Sequence, residues 1–445
     1  MSRAMKNSGI PWIGEVPSYW SIRRLKTAYS LHGRIGWNGL RSDEFEEKSY
    51  AYLITGQDFS KAEIDWSKCY QISKERYDED EFIQLKNGDM LITKDGTIGK
   101  IAMVVGLNKP ACLNSGIFVM RSTSPIHTQR YLFWMLSSSI LKAYNDYSNL
   151  GGTTIIHLYQ NVFERMQLLV PPISEQQTIA DCLDKKCSEI DEMVELQEKI
   201  IKELKAYKQS VITETVTKGL NPDVPMKHSG IECIGLIPQR WEVLKTLWVL
   251  DMPITDGPHT TPELYDTGIP FVSAEAVSCG NGGIDFNHIR GYISQAFYEE
   301  CCPKYIPQKG DVYMIKSGAT TGKVSIVNTD KVFTIWSPIA VYRANPDVIL
   351  PRFLFYAIQS EYYQEQVRLG WTFGTQQNIG MRALENLFVV LPTIAEQQVI
   401  VDSLDSTCVK IDTLISVKQS KIEALKEYKK SIIYEYVTGK KEVNG

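Results

Sequence analysis

The stretch SEQQTIADCLDKKCSEID occupies residues 174–191, and AEQQVIVDSLDSTCVKID occupies residues 395–412, an offset of 221. Aligned without a gap, residues 174–219 and 395–440 are identical at 20 of 46 positions, which marks a duplication rather than two helices of similar composition. KNSGIPWIGEVPSYW (6–20) and KHSGIECIGLIPQRW (227–241) share 8 of 15 residues at the same offset. NGDMLITKDGTIGK (87–100) and KGDVYMIKSGATTGK (309–323) match with one inserted residue. The order is the same in both halves. The chain is therefore two copies of one unit of about 220 residues, far longer than a solenoid repeat.

The repeated phrase is helical. Leu183, Cys187, Ile190, Val194, Gln197, Ile201, Leu204, Lys208 and Val211 are separated by alternating steps of four and three, the seam of a coiled coil. The offset of 221 yields Leu404, Cys408, Ile411, Ile415, Lys418, Ile422, Leu425, Lys429 and Ile432. Polar residues interrupt both seams at matching places, Gln197 with Lys418 and Lys208 with Lys429, and such residues fix register. Neither segment contains an internal proline or glycine. Forty-odd residues at ~1.5 Å each predict rods of roughly 60–65 Å. Prolines precede both, and Ser174 with Gln177 fits a capping box at the first. Two such stripes in one chain are most simply buried against each other.

The segments ahead of the rods are different. DMLITK, KIAMVV and GIFVM in the first copy, and VYMIKS, KVSIVN and IAVYRA in the second, are short β-prone runs. YLFWMLSSS (131–139) and RFLFYAIQS (352–360) predict short helices. The linker TKGLNPDVPMK (217–227) separates the copies. The fold class is α+β: two globular modules of one fold, joined by two long helices pairing as an antiparallel coiled coil, with a pseudo-two-fold internal repeat.

Composition and motifs narrow the function. The chain has 445 residues, 43% hydrophobic and 22% charged, with no run long enough for a membrane span and no secretory apolar stretch at its start, so it is expected to be cytoplasmic. Nine scattered cysteines form no Cys-x-x-Cys pair, and six histidines show no metal-ligand spacing, so reduced thiols and no metal are expected. GTIGK (96–100) and GATTGK (318–323) fall short of a phosphate loop and read as tight turns with a lysine at the tip. No dinucleotide fingerprint, methyltransferase motif, nuclease core or hydrolase elbow stands out. A binding protein without catalytic residues or cofactor is favoured over a self-sufficient enzyme. The net charge of −4 argues against a nucleic-acid binder that works without a partner.

The phrases P-x-I-x-E-Q-Q-x-I (171–179 and 392–400), GIPWIGEVPSYW (9–20), GRIGWNGL (33–40) and TDGPHTTPELYDTGIPFVSAEAV (255–277) resemble the specificity subunit of type I restriction-modification systems, and the likeness spans essentially the whole chain. The resemblance implies two target-recognition domains, each reading half of a split sequence in double-stranded DNA, on paired helices that set the gap. It also implies docking of two methyltransferase subunits and of restriction (motor-nuclease) subunits, with S-adenosylmethionine and ATP belonging to those partners. The domains then fall at residues 1–172 (first target-recognition domain), 173–218 (first spacer helix), 219–393 (second target-recognition domain) and 394–440 (second spacer helix). A coiled-coil scaffold that touches no DNA is the alternative.

The charge fits a reader that relies on partners. The first repeated segment (174–219) carries −3, the second (395–440) is neutral, and the rest is −1, so the modules lack the basic surface that gives phosphate affinity. Base contacts can still specify. Scaffold phrases repeat where HGRIGWNGLR (32–41) and DGPHTTPELY (256–265) do not, which predicts two different half-sites. The candidate DNA-binding residues are Arg34, Asn38, Arg41, Lys94 and Lys100 in the first copy and His259, Thr260, Thr261, Lys316, Lys323, Gln376, Gln377 and Asn378 in the second. TTIIHL (153–158) is the first-copy counterpart of GTQQNI (374–379). Glu175, Gln176, Gln177, Glu396, Gln397 and Gln398 are candidate partner-docking residues, with helix capping as the alternative role. Trp12, Trp20, Trp37 and Trp241 are expected to pack, and Asp256 with Gly257 to shape a turn.

Overall fold

The computed structural model describes residues 3–34, 40–60, 62–148, 157–373 and 377–443; Trp37, Asn38, residues 153–156 and Gln376 lie outside the described residues. The chain forms two compact units, one of Met1–Gln197 with Ser420–Gly445, the other of Glu198–Gln419. Each unit therefore holds one module and part of both long helices.

In the first unit the opening phrase is a hairpin, Met5–Asn7 against Glu15–Pro17. Ser21–Arg24 then pairs antiparallel with Gln167–Val170, so the module begins and ends in one ribbon immediately ahead of the long helix. Between them lies a six-stranded sheet of β1 (Tyr29–His32), β2 (Phe59–Ser60), β3 (Glu63–Ile64), β4 (Met90–Thr93), β5 (Ile101–Met103) and β6 (Ile117–Ser122), in the order β1-β6-β4-β5-β3-β2. Every residue of β4 is buried, so Met90, Leu91 and Ile92 run apolar without alternation, and the hydroxyl of Thr93 is satisfied by donating to Thr97 O at 2.5 Å. A three-stranded sheet of Ala51–Ile54, Tyr70–Ile72 and Ala111–Leu113 completes the core. Helix α1 (Gln129–Ser137), N-capped by Thr128, leads to helix α2 (Ile173–Lys218).

The second unit repeats this plan. Met226–His228 pairs with Leu236–Pro238, and Glu242–Lys245 with Phe388–Leu391. The main sheet is β7 (Thr255–Asp256), β8 (Val312–Ile315), β9 (Val324–Ile326) and β10 (Ile339–Tyr342), in the order β7-β10-β8-β9. Helix α3 (Pro351–Gln359) precedes helix α4 (Ile394–Val437). Arg130 of α1 pairs with Asp184 of α2, and Arg352 of α3 with Asp405 of α4, so each module grips its long helix by the same ion pair.

Helix α2 has 46 residues and α4 has 44. None of the predicted seam positions is exposed. In the first unit Lys429 of α4 lies 2.6 Å from Asp191 of α2, and Tyr436 meets Cys182. In the second, Lys208 of α2 lies 2.7 Å from Asp412 of α4, and Lys218 and Gly219 line a pocket with Ala395 and Glu396. Within each unit the helix segments therefore run antiparallel. Two of the three seam lysines, Lys208 and Lys429, are each met by an aspartate of the facing helix.

The helix starts differ from expectation. Helix α2 begins at Ile173, which puts Ser174 inside the first turn, not at the cap. The capping box stands in the second copy: Thr393 Oγ1 accepts from Glu396 N at 3.3 Å, and Glu396 Oε2 accepts from Thr393 N at 3.1 Å. Pro172 occupies the corresponding place in the first copy, and a proline has neither the hydroxyl nor the N–H that the box needs. Trp20 and Trp241 are buried and Trp12 half-buried, as packing residues. Among the described residues no helix is long and apolar enough to cross a membrane.

Candidate nucleic-acid interface

The Gly-Asp segment of each copy forms an antiparallel hairpin. In the first unit Thr93 N donates to Lys100 O at 3.0 Å; in the second Ile315 N donates to Lys323 O at 2.9 Å. Lys100 and Lys323 therefore stand at the base of the hairpin, not its tip, and both are exposed. Two strands flank the loop where a phosphate loop would have a strand and a helix, and this removes the resemblance to nucleotide binding.

Lys94 and Lys316 open these loops and share one backbone scheme. Lys94 N donates to Gly116 O (2.9 Å) and its carbonyl accepts from Leu158 N (3.0 Å). Lys316 N donates to Pro338 O (2.8 Å) and its carbonyl accepts from Ile379 N (3.0 Å). The side chains part company. Lys94 Nζ lies 4.8 Å above the Phe118 ring. Phe118 pairs with Ile92 on the neighbouring strand, and the residue at that register in the second copy is Ala340, opposite Met314. Alanine offers no ring, and Lys316 turns to Asp256, 3.3 Å away.

In the first unit Asp95 Oδ1 lies 2.6 Å from His157 Nδ1. Lys94, Asp95, Phe118, His157 and Tyr159 surround an open pocket of about 410 Å³. Arg34 also borders it, but its side chain is nearly fully buried. Its Nε donates to Leu113 O at 3.1 Å, its Nη2 reaches Cys112 Sγ at 3.4 Å, and Glu79 lies 3.8 Å from Nη1. Burial also pushes the Cys112 thiol up to about 11. The expectation that Arg34 reads bases is corrected: its guanidinium ties the core together. Arg41 is exposed.

In the second unit His259, Thr260 and Thr261 are exposed on one loop. Gln377 and Asn378 are exposed too, and their short strand bridges Ser317 of the hairpin loop, so the structure gathers them beside Lys316. Lys323 lines a separate polar pocket with Gln209, Gln364 and Arg368. Asp256 is not a simple turn former: it ends β7 and is buried. A Cβ on Gly257 would meet Ile335 O at 2.0 Å, so only glycine permits the close approach there. Nearby, the Arg290 guanidinium stacks 4.0 Å over the Trp336 ring. The sequence singled out Asp256 only as a turn former and did not point to Lys304, Arg290, Trp336 or the Asp95–His157 pair, since these contacts are assembled across long separations.

The Glu-Gln-Gln phrases divide by exposure. Gln176 Oε1 accepts from Thr128 N (2.7 Å), and its Nε2 donates to Ile126 O (2.8 Å) and Pro171 O (2.9 Å). Gln397 repeats this with Leu350 N, Val348 O and Pro392 O. Both are fully buried, so their amides brace the helix start and are withdrawn from the docking candidates. Glu175 accepts from Trp20 Nε1 (3.0 Å) and pairs with Arg3 (2.9 Å); Glu396 accepts from Trp241 Nε1 (3.3 Å). Gln177 and Gln398 are exposed.

Two copies of one α+β module, each leading into a long helix with an antiparallel seam, define a duplicated two-module protein. The family described as the type I restriction modification DNA specificity domain matches residues 40–206 and 259–439, and the chain belongs to that family. The type I restriction enzyme MjaVIII specificity subunit of Methanocaldococcus jannaschii is 26% identical over 371 residues, 81% of this chain and 82% of the relative. The EcoBI specificity subunit of Escherichia coli is 24% identical over 332 residues, covering 73% and 68%. Among solved structures, a chain from a type I R-M system has a TM-score of 0.69 at 19% identity, covering 95% of this chain and 98% of its own. The HsdS subunit of Thermoanaerobacter tengcongensis has a TM-score of 0.50 at 18% identity, with the same coverage.

Proposed function

We propose that this chain reads an asymmetric, bipartite site in double-stranded DNA without performing chemistry itself, and that it docks methyltransferase and restriction subunits. One observation carries the reading. In a chain of the specificity family, the opening and helical phrases recur at a constant offset of 221, while equivalent lysines stand in different surroundings: Lys94 over Phe118, Lys316 against Asp256. Residues 1–172 and 219–393 are the two readers, and 173–218 with 394–440 are the spacer. Lys94, Lys100 and Arg41 serve one half-site; His259, Thr260, Thr261, Lys316, Lys323, Gln377 and Asn378 serve the other. Asn38 and Gln376 belong with them by sequence. Gln177 and Gln398 are the docking candidates on the helix surface. The near-neutral charge makes the chain a weak DNA binder that gains affinity when partners add cationic surface. Its place of action is the cytoplasm.

The test is a module exchange. Residues 1–170 are replaced by the corresponding module of a relative, and methylated sites are mapped in cells that carry the whole system. The first half-site should change and the second persist. A change in both half-sites would defeat independent reading, and an absence of any protected duplex in the assembled complex would favour a scaffold.

A further inference from the structure

We infer that the second module carries a phosphate-binding node organised by Asp256, in which Lys304, Lys316 and His259 are presented together to one stretch of DNA backbone. The inference rests on the DNA-reading proposal and adds to it Lys304 as a contact and Asp256 as a positioning residue.

The Asp256 side chain is 1% exposed, yet three basic groups from three separate segments converge on it. Lys304 Nζ bonds to Oδ1 and also donates to Gly257 O at 2.9 Å. His259 Nε2 lies 3.2 Å and Lys316 Nζ 3.3 Å from Oδ2, at ion-pair distance without hydrogen-bond alignment. Exposure rises outward from the carboxylate: Lys316 12%, Lys304 44%, His259 70%. A carboxylate is costly to bury, and the two ammonium groups offset that cost. The site remains net positive, because two lysines outweigh one aspartate. Two ammonium groups held close together would repel each other without the anion between them. Fixed cations of this kind, with a partly exposed imidazole at the rim and exposed Gln377 and Asn378 on the strand bridged to the adjoining loop, suit a phosphodiester.

The sign of one substitution separates this idea from bulk charge. Asp256→Asn removes a negative charge, so a charge-only account predicts tighter DNA binding. Positioning by Asp256 predicts the reverse, because the lysines lose their anchor. The chain is assembled with its methyltransferase subunits, and its affinity for a duplex carrying the site mapped by module exchange is measured across salt concentrations. The Asp256→Asn complex should bind more weakly by about tenfold, with methylation of the bipartite site reduced accordingly and thermal stability checked alongside. Lys304→Met should lower the slope of log affinity against log salt by about 0.9, the value for one phosphate contact. Unchanged or tighter binding by a folded Asp256→Asn complex overturns the node. Should that variant fail to fold, an unaltered salt slope for Lys304→Met overturns it instead. Failure of the underlying reading is distinct: the unmodified complex would then bind no duplex at all.

Discussion

Lys208 of α2 reaches Asp412 of α4 at 2.7 Å, and shifting both numbers by the repeat offset of 221 gives Lys429 and Asp191, which meet at 2.6 Å in the other unit. The duplication thus places the same ion pair twice, once in each unit. A lysine in an apolar seam is tolerated because the facing helix supplies its counter-charge at that level, and a one-turn slip would separate the two. Lys208→Ala is expected to lower stability by about 1 kcal/mol, since both partners are mostly covered, and Lys429→Ala by less, since Asp191 is half exposed. Double-mutant cycles in denaturant measure both couplings; equal and negligible values would show that the pairs do not fix register.

Gln176→Ala and Gln397→Ala each orphan buried backbone groups at the junction of module and helix, and a loss of about 2–4 kcal/mol is expected for each. Gln177→Ala and Gln398→Ala, on exposed positions, should stay within about 0.5 kcal/mol of the parent. Unfolding curves of the four variants decide whether burial, not sequence position, separates neighbouring glutamines. Weakened capture of methyltransferase subunits by the exposed pair alone would assign them to docking.

Thr393→Ala breaks the capping box of α4 and should cost about 1 kcal/mol. Ser174→Ala should change little, because Ser174 is within the first turn of α2. Thermal melts of the two variants are the check, and a larger effect at Ser174 would contradict the cap assignment.

His127 accepts from Tyr29 OH at 3.0 Å through Nδ1 and, with its proton on Nε2, donates to Leu169 O at 3.0 Å. Burial lowers its pKa from 6.5 to about 4, against the raising effect of the Leu169 carbonyl. The unfolded chain therefore binds the proton first. The stabilisation is complete above about pH 6.5 and is lost as pH falls toward 4, by roughly 3 kcal/mol in all. Denaturation between pH 7 and pH 4 should show this slope, and His127→Gln should flatten it; an unaltered slope would remove His127 from the acid sensitivity.

Arg34→Ala should destabilise the first module without changing the bases it selects, because the guanidinium is spent on Leu113 O, Cys112 and Glu79. Methylome mapping in cells that retain enough folded protein tests this. A new first half-site in the variant would return Arg34 to the reading surface.

What the sequence conveyed well was periodic or repeated. The 4–3 spacing from Leu183 to Val211 identified a seam with no exposed position, and β-prone runs marked β4, β5, β6, β8, β9 and β10. The candidate site was legible only in part. Lys316, Gln377 and Asn378 do come together, whereas Lys323, across the hairpin base from Ile315, lines a separate pocket. Arg34 looks like a reader in sequence because its charge is visible there, but the carbonyl that absorbs it belongs to residue 113.

Sequence alone determined the duplication, the two rods with their seam, and the α+β character of the modules, because each depends on the spacing of residues along one segment. Tertiary structure alone decided which glutamines are buried, which lysines share a surface, and that Asp256 gathers Lys304, Lys316 and His259. Those outcomes depend on strand register and on side chains brought together from distant segments, and local spacing contains no record of either.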